Sequence, residues 1–325
     1  MSSIRRVTLF GGSGFIGRYI VKRLAEQGII ITVVGRYAGR ARYLQPMGDV
    51  GQIIAVNAAL TQEDVIRRSL EGADAAINLV GILAEHGAMS FEAVQHDGAA
   101  LVARLAAEAG VDRLLQFSAI GADKSSASVY ARSKARGEES AKVHFPAVTI
   151  LRPSIVFGPE DEFFNRFARM MQSSRVIPVI GGGKAHFQPV YVGDVADAAV
   201  AALHDERTAG LTYELGGPKI YTFRALMELI IALVDKDDED RVLRRHALID
   251  VPFPIAEFLG IFAQLLPNAP LTRDQVKLLR KDNVVASGMP NLADLGIEPT
   301  AAEIILPTYL TRYRTGGWYS ARRVA

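Results

Sequence analysis

The stretch "SVYARSKARGEE" at residues 128–139 sets Tyr130 four residues before Lys134, a spacing that brings both side chains onto one face of a helix. A lysine ammonium beside a phenol favours phenolate, so the pair could pass a proton to or from a carbonyl oxygen while the lysine holds a neighbouring hydroxyl. An ordinary exposed helix pair has the same spacing. A second signature is "FGGSGFIGRYI", with glycines at 11, 14 and 17 between an apolar run and a helical pattern. There Gly11 permits a tight turn, Gly14 lets backbone amides approach a pyrophosphate at the positive end of a helix, and Gly17 lets helix and strand pack closely. The candidate contacts on this loop are Gly11, Gly12, Ser13, Gly14, Phe15, Ile16 and Gly17.

The end of the second apolar run would choose the nucleotide. An acidic residue there bonds the ribose 2′-hydroxyl of NAD, but "VVGRYAGRAR" offers Arg36, with Arg40 and Arg42 nearby. These cations suit a 2′-phosphate and favour NADPH; solvated loop arginines are the alternative.

The elements that must position these groups follow an α/β grammar. Short β-branched runs at 6–10, 29–34, 52–56, 75–80 and 113–118 alternate with helical patterns at 15–27, 61–71 and 90–110. Runs apolar on both faces, separated by helix-length segments, predict a Rossmann-type doubly wound parallel sheet with right-handed crossovers. Further strands at 147–152 and 211–216 extend it. The expected division is a nucleotide-binding domain of residues 1–156 plus 187–221 and a smaller C-terminal lobe of 157–186 plus 222–325, richer in Pro, Gly and aromatics.

Composition limits the remaining possibilities. At 325 residues and 49% hydrophobic content the chain can bury a large core. Its 37 basic and 35 acidic residues leave no electrostatic footprint for bulk nucleic-acid binding. The absence of cysteine excludes disulfides, thiolate catalysis and cysteine-ligated metals, and fits a reducing compartment. The start "MSSIRRVTLF" enters an apolar run by residue 7 and leaves no room for a signal peptide, so a cytoplasmic chain is expected. The six histidines show no helical pairing for a metal, and none is expected. "IGGGKAHF" at 180–187 lacks the spacer and hydroxyl of a Walker loop and reads as a flexible turn, while "DKDDED" at 235–240 reads as a solvated loop.

The order of "GGSGFIG", Tyr130 with Lys134, "LRPSIVFGP" at 151–159 and "PVYVGDVADA" at 189–198 resembles that of the extended short-chain dehydrogenase/reductases. The resemblance implies that Tyr130 and Lys134 contact the nicotinamide ribose and that Pro153, Ser154 and Ile155 lie over the nicotinamide. It also implies cofactor contacts at Val80, Gly81 and Ser118. Asn57 stands where relatives often hold an aspartate facing adenine; its amide can still donate to or accept from a base edge. Active relatives place a Ser or Thr where this chain has Ile120, the position that polarises a substrate carbonyl. Loss of the third catalytic group is therefore expected, the alternative being Ser118 as a displaced substitute or one of Ser125, Ser126 and Ser128 on the following loop.

Blocks along nearly the whole chain resemble more closely the dinucleotide-binding accessory subunits of respiratory complex I, the alpha subcomplex subunit nine family. They include "GFIGRYIV" at 14–21, "LQPMGDVGQI" at 44–53, "AINLVG" at 76–81, "FGPEDEFFNRFA" at 157–168, "QPVYVGDVA" at 188–196 and "NLADLGIEPT" at 291–300. The resemblance implies NADPH held without electron transfer, other subunits of complex I as partners, and stabilisation near the junction of the peripheral and membrane arms. No independent catalytic residue is then expected. The implied location is the cytoplasmic face of a bacterial inner membrane, or the matrix side for a processed mitochondrial chain. A soluble NADP-dependent reductase or nucleotide-sugar epimerase/dehydratase is the alternative.

Two C-terminal features bear on partners. "IAEFLGIFAQLL" at 255–266 is apolar around most of a helix yet too short to span a bilayer, so it either packs in the second lobe or docks on a protein or lipid surface. The tail at 309–325 carries Trp318, Tyr319, Arg322 and Arg323, groups suited to lipid or protein anchoring.

Overall fold

The computed structural model describes residues 4–85, 87, 89–235, 246–263 and 272–314. These fall into two compact units: the first lies within 1–153, 192–215 and 286–298, the second within 154–191, 216–285 and 299–325.

In the first unit β1 (Arg6–Phe10), α1 (Phe15–Glu26), β2 (Ile30–Gly35), β3 (Ile53–Asn57), α2 (Glu63–Leu70) and β4 (Ala75–Asn78) come in succession. α3 (Gly98–Glu108), β5 (Arg113–Phe117), α4 (Val129–His144) and β6 (Thr149–Pro153) follow. The second unit takes β7 (Val156–Phe157), α5 (Phe164–Met171), β8 (Val176–Ile180), β9 (His186–Phe187) and β10 (Val190–Tyr191). The chain returns to the first for α6 (Val192–His204) and β11 (Thr212–Leu215). β12 (Tyr221–Thr222), α7 (Phe223–Val234), β13 (Ala247–Val251), α8 (Phe253–Ala263), α9 (Arg273–Leu278) and α10 (Ala302–Leu310) belong to the second.

The first unit is a seven-stranded sheet in the order β11-β6-β5-β4-β1-β2-β3, with every pair parallel. The order reverses between β1 and β4, and in open α/β sheets ligands bind outside the carboxyl ends of the strands at such a switch. The apolar runs read from sequence are these strands, displaced by a residue or two. α1 turns Ile20, Val21 and Leu24 to the sheet, and Phe10, Ile66, Leu70, Leu105 and Ile150 are among the buried residues of one core layer. Each such side chain contributes roughly 1.5–3 kcal/mol by leaving water. The helical pattern at 90–110 divides into a wider π turn over Glu92–Asp97 and α3.

Segment 286–298, expected in the smaller lobe, belongs instead to the first unit. The Glu214 amide donates to Pro290 O (2.9 Å), and Ala286 N donates to the Glu214 carboxylate (2.9 Å). That carboxylate shares Arg152 with Glu138, which takes the guanidinium in a fork at 2.8 and 2.6 Å. Both acids are buried, so losing the arginine would leave charge without compensation inside the unit, a defect worth roughly 3–5 kcal/mol.

The second unit has its own core, in which Phe157, Phe164, Phe187, Phe223 and Leu306 are fully or nearly buried. Much of the block "FGPEDEFFNRFA" builds it, Phe163 meeting Phe164, Phe167 and Phe223 edge-on. Asp161, also buried, accepts from Phe164 N (2.6 Å), Asn165 N (3.2 Å) and Gly158 N (3.3 Å), and from the Tyr309 hydroxyl of α10 (2.5 Å). Its neighbour Asn165 accepts from Arg312 and Tyr313, so one acidic turn fastens the segment after α10. The glycines at 181–183 form a packed turn rather than a flexible one. All three have positive φ, and a Cβ on Gly181 would stand 2.2 Å from the Phe253 ring.

α8 begins two residues before the apolar run read from sequence, with Pro254 tolerated in its first turn. Ala256 packs against Ile180 and Val276, while Ile255 and Phe258 are exposed. Residues 264–266 of that run, residues 236–240 of the acidic run and residues 315–325 of the tail lie outside the described residues. No helix among the described residues is long and apolar enough to cross a membrane.

Candidate functional site

The carboxyl ends of β1, β2, β4, β5 and β6 carry nearly all the residues singled out in the sequence. Gly11 (φ +79°) turns the chain after β1; its amide donates to Val34 O (2.9 Å), and a Cβ there would stand 3.4 Å from Val80. The loop is thereby fixed against β2 and against the segment after β4. Gly14 N donates to Gly11 O (3.0 Å), and Gly14 caps α1 in an extended conformation without a side-chain partner. The first turn of α1 contains no acid, which leaves its positive end open to an anion. A Cβ on Gly17 would lie 2.5 Å from Gly12 O, and one on Gly12 would lie 3.2 Å from Val33, so both glycines are demanded by close approach. Phe15 and Ile16 are half-buried in that first turn.

Ser13 Oγ lies 3.8 Å from the Cβ position of Gly35, at the end of β2, and Arg36 follows, exposed beside the Met89 thioether. Arg42 is exposed, and the side chain of Arg40 lies outside the described set. Asn57 is exposed at the end of β3, in register with Gly35.

On the other side of the switch, the Lys134 ammonium approaches Gly81, 3.1 Å from its Cβ position, and donates to Phe117 O at 3.4 Å. Burial pulls this lysine down to about 8, with Glu138 one helical turn further on pulling the other way. Burial pushes the Tyr130 phenol up to about 12. That is opposite to the lysine-assisted phenolate the spacing suggested: at neutral pH the Tyr130 phenol keeps its proton. Phe91 meets its ring edge-on at 5.8 Å.

Ser118 follows β5, its amide bonded to Leu151 O (2.8 Å). Its hydroxyl is buried and finds no hydrogen-bond partner among the described residues. The other serines are occupied. Ser125 bonds Asp123, Ser126 Oγ accepts from Ser128 N, and Ser128 caps α4 by accepting from Ala131 N. Ile120 is buried and apolar where a polariser would stand, its amide held by Pro153 O (3.1 Å). Ser154 and Ile155 open the second unit. There Ser154 Oγ lies 2.6 Å from Asn283 Oδ1, and Ile155 O accepts from Val190 N.

Several positioning residues gave no signal in the sequence. Asn78 donates to Gln116 (2.9 Å) and accepts from Val80 N (3.1 Å), shaping the turn after β4. Gln95 accepts from Ser133 of α4 (2.8 Å) and donates to Ile82 O (2.6 Å), tying that turn to the helix bearing Tyr130 and Lys134. Glu92, His96 and Asp97 also lie close enough together to share an ion. Arg136 holds Glu92, however, and Ser140 meets the far nitrogen of His96.

A parallel sheet, a glycine turn at its switch point and a Tyr-Lys helix beside it define a class, and residues 7–216 match the model of the NAD dependent epimerase/dehydratase family. Solved structures with this fold include a triphenylmethane reductase from Citrobacter sp., 17% identical with a TM-score of 0.72 over 94% of this chain and 99% of that one. DesIV, a dTDP-glucose 4,6-dehydratase from Streptomyces venezuelae with NAD bound, is 19% identical with a TM-score of 0.69 over 95% and 96%. Within this class the chain belongs to the family of complex I alpha subcomplex subunit 9. It is 35% identical over 322 residues to the mitochondrial NADH dehydrogenase (ubiquinone) 1 alpha subcomplex subunit 9 of Arabidopsis thaliana, covering 95% of this chain and 78% of that protein. The Mus musculus protein of the same name is 33% identical over 318 residues, covering 97% and 82%. A ceramide reductase of Caulobacter vibrioides is 29% identical over 60% of each chain.

Proposed function

We propose that this protein binds NADPH as a structural ligand and is a non-catalytic accessory subunit that stabilises respiratory complex I near the junction of its peripheral and membrane arms. The observation that carries this reading is the reach of the likeness. The epimerase match ends at residue 216, whereas the complex I relatives align over 95% or more of the chain. What the chain shares with them therefore includes its second unit, not only a nucleotide fold. Its place would be the cytoplasmic face of a bacterial inner membrane, or the matrix side in a mitochondrion, with other complex I subunits as partners. The exposed Ile255 and Phe258 of α8 offer apolar surface for a protein or lipid contact.

The nucleotide part rests on fit. The uncapped, acid-free start of α1 suits a pyrophosphate, Arg36 a 2′-phosphate, and Asn57 an adenine edge. The buried Ser118 hydroxyl needs a partner, since leaving one unmade costs roughly 1–3 kcal/mol, and a ligand at the end of β5 would supply it. Tyr130 and Lys134 would donate to ribose hydroxyls, and Pro153, Ser154 and Ile155 would flank the nicotinamide. Bound NADPH carries a transferable hydride; with Ile120 in place of a polariser, these residues hold the nucleotide rather than activate a carbonyl.

A second reading, an NADP-dependent carbonyl reductase, is favoured by the retained Tyr130 and Lys134 and by the partial likeness to ceramide reductase. Affinity capture of the chain from detergent-extracted native membranes separates the two. Co-purification of quinone-reducing complex I supports the accessory role, and recovery of the chain alone would replace it with the reductase.

A further inference from the structure

The π turn before α3 gathers side chains that the nucleotide reading leaves unused. Gly98 N donates to Ala93 O, five residues back, the bond that defines such a turn. In an α-helix, side chains five apart stand roughly 140° round the axis from one another, whereas the wider π turn brings them onto one face. Glu92, His96 and Asp97 therefore converge. His96 Nδ1 lies 2.8 Å from Asp97 Oδ1 and 3.2 Å from Glu92 Oε1, and the three ligand atoms fall within 4.8 Å of one another. The turn lies hard against α4, where a Cβ on Gly137 would stand 2.0 Å from Gln95 O.

α4 also orients two of these groups. Arg136 donates to Glu92 Oε2 (2.7 Å) and leaves Oε1 turned to the imidazole. Ser140 Oγ lies 2.9 Å from His96 Nε2. A hydroxyl both donates and accepts, so Ser140 holds the ring in either tautomer. It gives its proton to Nε2 while Nδ1 carries one, and accepts from Nε2–H when Nδ1 lends its lone pair to an ion, the partner that metal-bound histidines regularly have.

We propose that Glu92, His96 and Asp97 bind one divalent transition-metal ion of the zinc class, with water completing its coordination. An imidazole between two carboxylates suits such an ion better than Mg²⁺, which takes oxygen ligands. Legs of about 2.0–2.2 Å put the donor atoms around zinc roughly 3.3–3.5 Å apart. Rotation of the two exposed carboxylates reaches that spacing without moving the backbone. The proton on Nδ1 leaves to solvent as the ion enters. Bound there, the ion would lock the π turn and, through Arg136 and Ser140, tie it to the helix of Tyr130 and Lys134. Spacing concealed the group because two of its members are acids whose five-residue separation shares a face only in a π turn.

The test is calorimetric titration of the chelator-washed protein with zinc chloride near neutral pH. One ion per chain is expected, with X-ray absorption showing a nitrogen and oxygen shell at about 2.0–2.2 Å. His96→Ala should remove this binding, and Ser140→Ala should weaken it about ten-fold by releasing the ring. Stoichiometric binding that survives His96→Ala would put the ion elsewhere, as at the exposed His186–Asp282 pair, and overturn the assignment. So would a wild-type protein without saturable zinc binding, or one that takes magnesium chloride with equal affinity, which would make the group a mere carboxylate patch. Should His96→Ala fail to fold, Glu92→Gln decides: unchanged zinc affinity there overturns the site.

Discussion

Replacing Lys134 by methionine should stabilise the nucleotide-free protein and weaken its hold on nucleotide. The lysine is buried with its ammonium near Gly81 and one long bond to Phe117 O. Its fall from 10.5 to about 8 is caused first by loss of water. At ~1.36 kcal/mol per pH unit, that fall amounts to a penalty of about 3 kcal/mol carried by the folded state at pH 7. Methionine fills nearly the same volume without charge but forfeits the Phe117 bond, so a net gain of about 2 kcal/mol is expected. The pH dependence has a definite sign. Between about 8 and 10.5 the folded lysine has released its proton and the unfolded one has not, so wild-type stability rises with pH across that window. The advantage of the variant should shrink accordingly, being largest below pH 8. Urea unfolding of both proteins at pH 7 and pH 10, compared as differences so that other groups cancel, measures this directly. A variant no more stable at pH 7, with a gap that does not change at pH 10, would refute the claim that the lysine is held against its own solvation.

Other outcomes follow from the same geometry. Gly17→Ala must push helix from strand, since its Cβ would meet Gly12 O at 2.5 Å; a loss of about 1–3 kcal/mol in urea unfolding and weakened nucleotide titration are expected. Tyr309→Phe removes a 2.5 Å bond to buried Asp161 and should cost about 1.5–3 kcal/mol in the same assay. Tyr130→Phe should leave quinone reductase activity of membranes carrying the variant nearly unchanged; a large loss with the complex and its nucleotide intact would indicate chemistry at this residue.

The sheet was legible because its inner strands are buried on both faces, which makes "RVTLF" or "AAIN" predominantly apolar runs without requiring long-range information. The glycine loop was legible for a related reason: close approach admits few residue types, and Gly12 and Gly17 are each demanded by a backbone or side chain a few residues away. Asn78 and Gln95 were not legible, because each acts through partners 13 or 38 residues distant whose identity no local pattern announces. The charge relation of Tyr130 and Lys134 was misjudged because spacing reports direction but not solvent access, and here burial governs both groups. The place of residues 286–298 depended on Glu214, a buried acid that needs an amide from far down the chain.

That last attachment also sets an order of events during synthesis. β11 is an edge strand of the first unit, and its Glu214 amide and carboxylate are both met by residues 286–290. The unit that begins at the first strand is therefore unfinished until nearly 290 residues have left the ribosome, well over ten seconds at typical elongation rates of ~5–20 residues per second. For the last part of that interval, from the synthesis of Glu214 to that of Ala286, about 4–14 s at the same rates, the Glu214 carboxylate lacks its amide partner, and nascent chains must keep a nearly complete parallel sheet from pairing elsewhere. A fragment cut where the epimerase match ends, at residue 216, would keep the sheet's seven strands but not the segment that satisfies its outermost acid.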